Sequence, residues 1–508
     1  MAKRTAIIDI GSNSARLVIF EKTSHYGFHL ICEQKSKVRI GEGAYEKNSY
    51  LQPPGVTRAF LTLQSFTHTI EKFQVHKTIC VATSALRDAP NGKIFVKWIE
   101  KELGISIKII DGNKEATYGA IAANNLLPTD EGITIDIGGG SSDMALIKNG
   151  DIVDTYSLNL GTVRLKELFF DKDMSRQEIN KKAKAYISSE LQGLPAHFKS
   201  RLAIGIGGTA RTLSKGIMKL SMHPLDKLHA FTYAIDEFKE YLESIPLSSA
   251  KNLKKFGLKK NRYDTIREGT LIFNEILSHI GADSVMSSSV GVREGVFLEQ
   301  ALKHENLKFP KDINPSITSI LDRFKPCVQV ESKKKNKRKI ASDLYAELQS
   351  EINDNLQYKK ELLWAIKLST IGNTLTIYKS HQHAFYIAMQ ELNYGFTHEQ
   401  ILLVSLLLRV HGKELLNKPL FKSFEPLLPA KNDLLWLSFI YTLTVFIHEA
   451  SNSAKIDVSY SNQTLTITSD KPLYLTKEKI KTLEKPIAFA IIINDEEKLP
   501  KNSELGIV

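Results

Sequence analysis

The chain opens with an apolar run that contains a single carboxylate. Residues 6–10 read Ala-Ile-Ile-Asp-Ile, and Gly-Ser-Asn-Ser follows at 11–14. Short apolar runs that end at a glycine turn are typical of buried strands. Strand-type runs at 15–20 and 28–32 then complete a predicted three-stranded meander.

The same order of residues returns later in the chain. An apolar run at 132–137 contains Asp136 and passes into Gly-Gly-Gly-Ser-Ser at 138–142, with Asp143 directly after it. Further strand-type runs repeat the opening meander. Two copies of one design, a domain's length apart, predict two similar halves that face each other across one ligand.

The composition of the two turns suits phosphate. Glycines let backbone N–H groups close on anionic oxygens, the hydroxyl side chains add donors, and the aspartates can hold a divalent cation through water. A single copy would also fit a tight hairpin without a ligand. The second copy favours the phosphate site.

Two more strand ends carry candidate anion-binding groups. Thr83, Ser84 and Arg87 follow an apolar strand at 78–82, where α/β sheets place their ligands. For Arg87 the alternative is a surface salt bridge with the neighbouring Asp88, and for Arg16, just past the first turn, it is a surface strand position.

Glycine-rich residues also join a strand at 202–206 to a helix. The segment Gly207-Gly208-Thr209 could seat a phosphate at the helix N-terminus, and close helix-to-sheet packing is the alternative. A further helix opens with Gly-Asn at 112–113, which places Glu115 in its first turn. On pattern alone, Glu115 could simply complement the helix dipole.

The composition changes beyond residue 304. Prolines and the lysine-rich run at 333–339 predict a linker, and amphipathic helices without glycine turns follow at 340–450. The lysine run fits a solvated linker or a contact for a long polyanion. The predicted segments are two α/β domains, a basic linker, a helical domain and a small α+β cap, at 1–125, 126–304, 305–340, 341–450 and 451–508.

The overall composition of the 508 residues is that of a globular protein. A net charge of +12 and a pI near 9.2 favour anionic partners. Cys32, Cys80 and Cys327 are scattered without metal-ligand spacing, which predicts a reducing compartment and no zinc site. We expect a cytoplasmic protein without a membrane partner, because the apolar runs are too short to span a bilayer and no signal-peptide pattern is evident.

The motifs together resemble one known family. Six motifs are similar to those of the exopolyphosphatase and guanosine pentaphosphate phosphatase (Ppx/GppA) family, and they occur along the chain in the same order as in that family. They are DIGSNS at 9–14, ATSALRDA at 82–89, KEA at 114–116, DIGGGSSD at 136–143, GGTA at 207–210 and GVREG at 291–295. That family belongs to the actin, Hsp70 and sugar-kinase superfamily. The implied fold class is α/β, with two ribonuclease H-like (actin-like ATPase) domains forming a cleft, then an all-α HD-like domain and a small α+β cap.

The resemblance also implies roles for individual residues. Glu115 matches the family's catalytic glutamate, which orients and deprotonates water, and Arg87 would neutralise phosphate charge. Mg²⁺ would be held by Asp9, Asp136 and Asp143, with a monovalent cation such as K⁺ left open. The implied phosphate-binding residues are Gly11, Ser12, Asn13, Ser14, Arg16, Thr83, Ser84, Arg87, Gly138, Gly139, Gly140, Ser141, Ser142, Gly207, Gly208 and Thr209.

Three departures from the family pattern stand out. Lys114 precedes Glu115 where two glutamates are usual, and Asp143 stands where a glutamate is usual. The predicted helix 361–379 carries Ser-Thr-Ile-Gly at 369–372 where an HD-type helix offers a His-Asp or His-Glu pair. We therefore interpret His381, His383 and His411 as ordinary helix-end histidines, and the helical domain as an element for dimerisation or substrate guidance.

The leading hypothesis is a Mg²⁺-dependent phosphohydrolase. It would release terminal phosphate from inorganic polyphosphate, from guanosine pentaphosphate, or from both, and it would act as a homodimer without a specific nucleic acid. The alternatives are an actin-fold kinase or ATPase, and a non-catalytic sensor of guanosine penta- or tetraphosphate. The sequence does not rank the two phosphatase substrates.

Overall fold

The computed structural model describes residues 3–44, 48–324, 331–352, 357–410, 419–451 and 453–496. The chain divides into two compact units. The first comprises Met1–Ser319 with Tyr394–Thr397, and the second comprises Ile320–Asn393 with His398–Val508. Cys327 and His411 lie outside the described residues. No helix of the described part is long and apolar enough to cross a membrane.

The first half of the first unit is built on a five-stranded sheet. Its elements are β1 (Lys3–Ile10), β2 (Ala15–Lys22), β3 (Phe28–Ser36), α1 (Pro53–Lys72), β4 (Lys77–Ala82), α2 (Ser84–Asp88), α3 (Gly92–Leu103), β5 (Ile107–Ile109) and α4 (Gly112–Leu126). The strand order is β3-β2-β1-β4-β5, with β1 antiparallel to β2 and parallel to β4. This confirms the predicted opening meander.

The second half repeats this arrangement on a six-stranded sheet. Its elements are β6 (Gly132–Ile137), β7 (Ser142–Lys148), β8 (Asp151–Leu158), α5 (Thr162–Leu165), α6 (Arg176–Leu191), β9 (Leu202–Ile206), α7 (Gly207–Leu220), β10 (Thr232–Ala234), α8 (Lys239–Leu247), α9 (Ile266–Ile280), β11 (Ser284–Ser287) and α10 (Val292–Ala301). The order is β10-β11-β9-β6-β7-β8, and β6 lies antiparallel to β7 and parallel to β9.

Each sheet has its own apolar core. The alternate side chains of β1, including Ala6, Ile8 and Ile10, pack with Leu63 and Phe66 of α1. Ile133 and Ile135 of β6 pack in a separate cluster with helices of the second half. The motif turns therefore lie at the carboxyl ends of β1 and β6, where polar groups leave the apolar layers.

The second unit is mainly helical. Its elements are α11 (Pro315–Arg323, which spans the boundary), α12 (Glu331–Glu347), α13 (Lys359–Leu368), α14 (Ser380–Glu391), α15 (His398–Arg409), α16 (Lys431–Ala450), β12 (Ile456–Ser461), β13 (Thr464–Ser469), α17 (Tyr474–Ile480) and β14 (Ala490–Asp495). The last three strands form one sheet in the order β12-β13-β14, with β13 and β14 parallel.

Two expectations for this unit are corrected. The segment 305–340, predicted as a basic linker, contains helices, and Lys337 of the predicted solvated lysine run is buried, with its Nζ 2.8 Å from the Ser369 hydroxyl. The predicted helix 361–379 ends at Leu368. Gly372 follows this end, and the chain there passes so close to Ser380 that a Cβ would clash with the Ser380 carbonyl oxygen.

Candidate active site

A polar cleft lies between the two α/β halves. It has a volume of about 150 Å³ and is lined by both motif turns and by the strand ends beside them. The sequence-predicted residues that the structure brings together here are Asp9, Gly11, Ser12, Asn13, Ser14, Arg16, Thr83, Ser84, Glu115, Asp136, Gly138, Gly139, Ser141, Gly207, Gly208 and Thr209.

The two turns have matching backbone geometry and approach each other closely. The N–H of Gly11 donates to the Ser14 carbonyl at 3.1 Å, and the N–H of Gly138 donates to the Ser141 carbonyl at 2.9 Å. A Cβ at position 139 would lie only 2.7 Å from the Cβ of Ser12. The glycine therefore allows two donor-rich turns to face one small space, as the repeated motif predicts.

Asp9 and Asp136 occupy equivalent positions, each one residue before the end of its strand. Burial raises the pKa of both carboxyl groups, and Arg293 and Arg16 oppose this shift at Asp9. Gly207 passes directly over Asp136 with φ of +77°, and a Cβ at 207 would clash with Asp136 Oδ1. The chain is thus shaped to keep the Asp136 carboxylate at the base of the cleft.

Glu115 enters the cleft from the first turn of α4. Asp111 caps this helix by accepting a hydrogen bond from the Lys114 N–H at 2.7 Å. Burial, together with the charges of Asp143, Asp136 and Asp9, raises the pKa of Glu115 well above its ordinary value. Its Oε2 is buried and accepts no hydrogen bond from the described residues, with Arg87 Nη1 3.7 Å away. A carboxylate with a free lone pair and a raised pKa can accept a proton from water.

Lys114 does not change the charge inside the cleft. Its Nζ lies 2.6 Å from Glu299 Oε1 on α10, and Tyr118 donates to the other Glu299 oxygen at 3.0 Å. The departure from a double glutamate is therefore compensated by a pair outside the cleft.

Four predicted residues do not line the cleft. Asp143 is buried behind the second turn, where it accepts hydrogen bonds from Ser141 at 3.1 Å and Ser157 at 2.5 Å. Ser142 is buried and donates to the Leu160 carbonyl. In this arrangement both side chains are hydrogen-bonded within the protein, and the metal role of Asp143 and the phosphate role of Ser142 stay predictions.

Gly140 and Arg87 also contact other protein groups instead of lining the cleft. The Gly140 carbonyl accepts a hydrogen bond from Arg164 Nε at 3.0 Å. Arg87 donates to the Ile110 carbonyl at 3.1 Å and lies near both Asp88 and Glu115. The guanidinium therefore contacts Asp88, as the salt-bridge alternative predicts, and also Glu115, the candidate catalytic residue.

Sequence reasoning missed four cations of the site. Lys35, Arg211, Arg262 and Arg293 all line the cleft. Burial and then Arg16 lower the pKa of Lys35 to about 8, and burial and then Arg293 lower that of Arg211 to about 10. Arg211 and Arg293 stand inside or beside quoted motifs, but Lys35 and Arg262 have no local signal. In the folded chain Arg262 packs across Gly208, and a Cβ at position 208 would clash with its guanidinium.

Family models match most of the chain. The model of the Ppx/GppA phosphatase family matches residues 18–304, and that of Ppx/GppA phosphatase, domain III, matches residues 316–485. The chain belongs to the Ppx/GppA phosphatase family. The resemblance inferred from the six motifs is thereby confirmed.

Two curated relatives illustrate the range of this family. The chain is 26% identical over 421 residues to the guanosine-5'-triphosphate,3'-diphosphate pyrophosphatase of Pseudoalteromonas translucida, with 81% of each chain covered. It is 32% identical over 307 residues to the bifunctional 3-dehydroquinate synthase/phosphatase of Fusobacterium nucleatum. That match covers 58% of this chain and 46% of the bifunctional protein, so the chain spans less than half of that relative's length.

Solved structures share the two-domain fold. The Ppx/GppA family member of Aquifex aeolicus is 27% identical with a TM-score of 0.51, covering 60% of this chain and 99% of that one. An exopolyphosphatase of Cytophaga hutchinsonii, at 23% identity and a TM-score of 0.55, covers 59% of this chain and 98% of that one and shares the fold. The predicted fold class, with its separate helical domain, is confirmed.

Proposed function

We propose that this member of the Ppx/GppA family hydrolyses the terminal phosphoanhydride bond of a phosphate chain, either inorganic polyphosphate or guanosine pentaphosphate. The observation that carries this proposal is the position of Glu115. Its carboxylate enters a small cleft bounded by two phosphate-type turns, and one of its buried oxygens has no hydrogen-bond partner among the described residues. The relative from Pseudoalteromonas translucida is, by its name, a pyrophosphatase of guanosine-5'-triphosphate,3'-diphosphate.

The turns would bind and orient the terminal phosphoryl groups. The turn residues Ser12, Asn13, Ser14, Gly139 and Ser141 line the cleft with Thr209, and their backbone N–H and hydroxyl groups can donate hydrogen bonds to a ligand. Arg16, Lys35, Arg211 and Arg262 add positive charge. Burial and mutual repulsion lower the pKa values of these four side chains. An anion bound at this position would stabilise their charged forms.

Glu115 would act as the general base. It would take a proton from a water molecule, whose oxygen attacks the terminal phosphorus as the bond to the bridging oxygen breaks. The products are orthophosphate and a chain one phosphate shorter. In phosphoryl transfer a protein mainly positions the groups and stabilises charge, and the cleft supplies both.

Asp9 and Asp136 fit a role as Mg²⁺ ligands. Within the described residues no three carboxylate, histidine or cysteine side chains converge to hold a metal by themselves. Mg²⁺ is commonly held by one or two carboxylates together with water and substrate phosphates, so two facing aspartates at the base of a phosphate cleft suit it. The ion would supply charge neutralisation on the transferred phosphoryl group.

The test compares phosphate release from long-chain polyphosphate and from guanosine pentaphosphate, with Mg²⁺ present. Glu115→Gln should lower release from the preferred substrate by roughly 10²-fold or more, since the amide cannot accept the proton. Glu71→Gln, which changes an exposed carboxylate of α1, should leave the rate unchanged. The proposal is wrong if the wild-type protein releases phosphate from neither substrate, and steady transfer from ATP to an acceptor would then indicate a kinase.

A further inference from the structure

A second cavity of about 450 Å³ continues from the cleft on the same side of the sheet. The two cavities share lining residues, which are Arg16, Lys35, Gly208, Arg211, Arg262 and Arg293. A substrate whose terminal phosphate occupies the cleft would therefore extend its remaining atoms into the second cavity.

One wall of this cavity is the face of the β2–β3 ladder. Arg16 lies opposite Lys35, and Val18 lies opposite Glu33. Since opposite residues of an antiparallel pair project from the same face and the next pair on that face is two residues away, Glu33 follows the cationic pair by about 7 Å. Leu30 lies farther along the same wall. A ligand leaving the cleft meets cations first, then a carboxylate, then an apolar surface.

The rest of the cavity wall is mainly basic, although it also includes Glu294. Arg211, Lys215 and Lys219 line the cavity from one face of α7, at intervals of four residues or about 6 Å along the helix. Lys259 and Arg262 add to this wall. Apart from Glu33 and Glu294, the charged side chains of the cavity would favour a continuous row of phosphates.

Glu33 is held in place by two arginines of the cleft. Its Oε1 accepts hydrogen bonds from Arg16 Nη1 at 3.2 Å and from Arg293 Nη1 at 3.0 Å. Burial raises the pKa of Glu33, but Arg293 and Arg16 outweigh this effect and hold the pKa below its ordinary value. The carboxylate is therefore charged at neutral pH, while its side chain remains 46% exposed.

We propose that Glu33 is a specificity-determining residue that disfavours an unbroken phosphate chain in the second cavity. Its charge repels phosphates that continue past Lys35, and it competes with them for Arg16 and Arg293. A substrate whose phosphates are interrupted at this point by a neutral organic group avoids the repulsion and gains the apolar wall. This inference rests on the proposed phosphohydrolase activity of the cleft.

The experiment measures kcat/KM for tripolyphosphate and for long-chain polyphosphate in the wild type, Glu33→Gln and the control Glu71→Gln. Glu33→Gln should raise kcat/KM roughly fivefold for the long chain, through KM, because one repulsive charge is removed from a solvated cavity. Tripolyphosphate should change by less than about twofold, and the difference between substrates should shrink as salt screens the charge. Glu33→Asp should stay close to the wild type.

The possible outcomes separate the two proposals. If the wild type hydrolyses polyphosphate but Glu33→Gln leaves the ratio between long and short chains unchanged, the role of Glu33 is wrong. A parallel loss on both chains, with an unchanged melting temperature, would show that Glu33 only orients the arginines. Absence of release from either chain and from guanosine pentaphosphate by the wild type would instead overturn the proposed activity itself.

Discussion

The β1–β2 turn and the β6–β7 turn have similar backbone geometry but different residues opposite their aspartates. Asp9 and Asp136 sit at the same place in their strands, and the glycine two residues later closes each turn with an equivalent hydrogen bond. The difference appears across the ladder. Asp9 lies opposite Arg16, whereas Asp136 lies opposite Asp143.

The two cross-strand partners lie in different surroundings. Arg16 lines the cleft, where a phosphate can reach it. Asp143 is buried beneath the first turn of α4, next to Gly112, where a Cβ would lie 2.9 Å from its Oδ1. The repeated turn thus keeps one backbone geometry, while the residue opposite the aspartate lines the cleft in one half and is buried beneath the helix that carries Glu115 in the other.

Replacing Asp143 should have the largest effect on this comparison. Asp143→Ala removes the acceptor for Ser141 and Ser157 and loosens the start of α4, so we expect kcat to fall about 100-fold with KM nearly unchanged. Steady-state kinetics would measure this, and Ser157→Ala, which removes one of the two hydrogen bonds, should show a smaller loss. An increase in KM alone would mean that Asp143 contributes to substrate binding instead.

A second buried carboxyl group lies outside the cleft. Glu268 on α9 is fully buried, neither of its oxygens accepts a hydrogen bond from the described residues, and burial raises its pKa from 4.5 to about 7. A folded-state pKa above the unfolded value favours the protonated form. The stability from this site is therefore present below pH 4.5 and is lost as pH rises to about 7.

Glu268→Gln should accordingly stabilise the protein above pH 7 and have little effect near pH 4.5. We expect a gain of about 2 kcal/mol in the free energy of unfolding at pH 8, less than the full shift implies because the amide is also costly to bury. Urea unfolding at pH 5 and pH 8 measures it. An equal effect at both pH values would show that the Glu268 carboxyl does not titrate in this range.

The smallest effect concerns the other half of the comparison. Arg16→Met removes a charge-assisted donor to the bound phosphate, so KM should rise about tenfold with a small change in kcat. Arg4→Met, which removes a pair with Glu21 on the same sheet, provides the control. A fall in kcat without a change in KM would contradict the division of roles between Arg16 and Asp143.

The sequence was most informative where chemistry and strand ends coincide. The order apolar strand, aspartate and glycine turn predicted both halves of the site, because this pattern is local and repeats. Successive residues of a strand project to opposite faces, so the Ser142 hydroxyl donates to the Leu160 carbonyl while Asp143 projects toward α4. The motif alone did not predict these two directions. Lys35 and Arg262 could not be predicted, since their place in the cleft depends on pairing and packing across many residues.

Gly207 shows how this geometry constrains evolutionary drift. Any one-base change in a glycine codon that alters the residue introduces a Cβ, and at 207 both the positive φ and the Asp136 carboxylate oppose it. Gly104 also has a positive φ, but the described part of the chain leaves open space around it, so aspartate, one base change away and tolerant of a positive φ, is accessible there. At position 207 a lineage therefore has no single-step exit, whereas position 104 can still change.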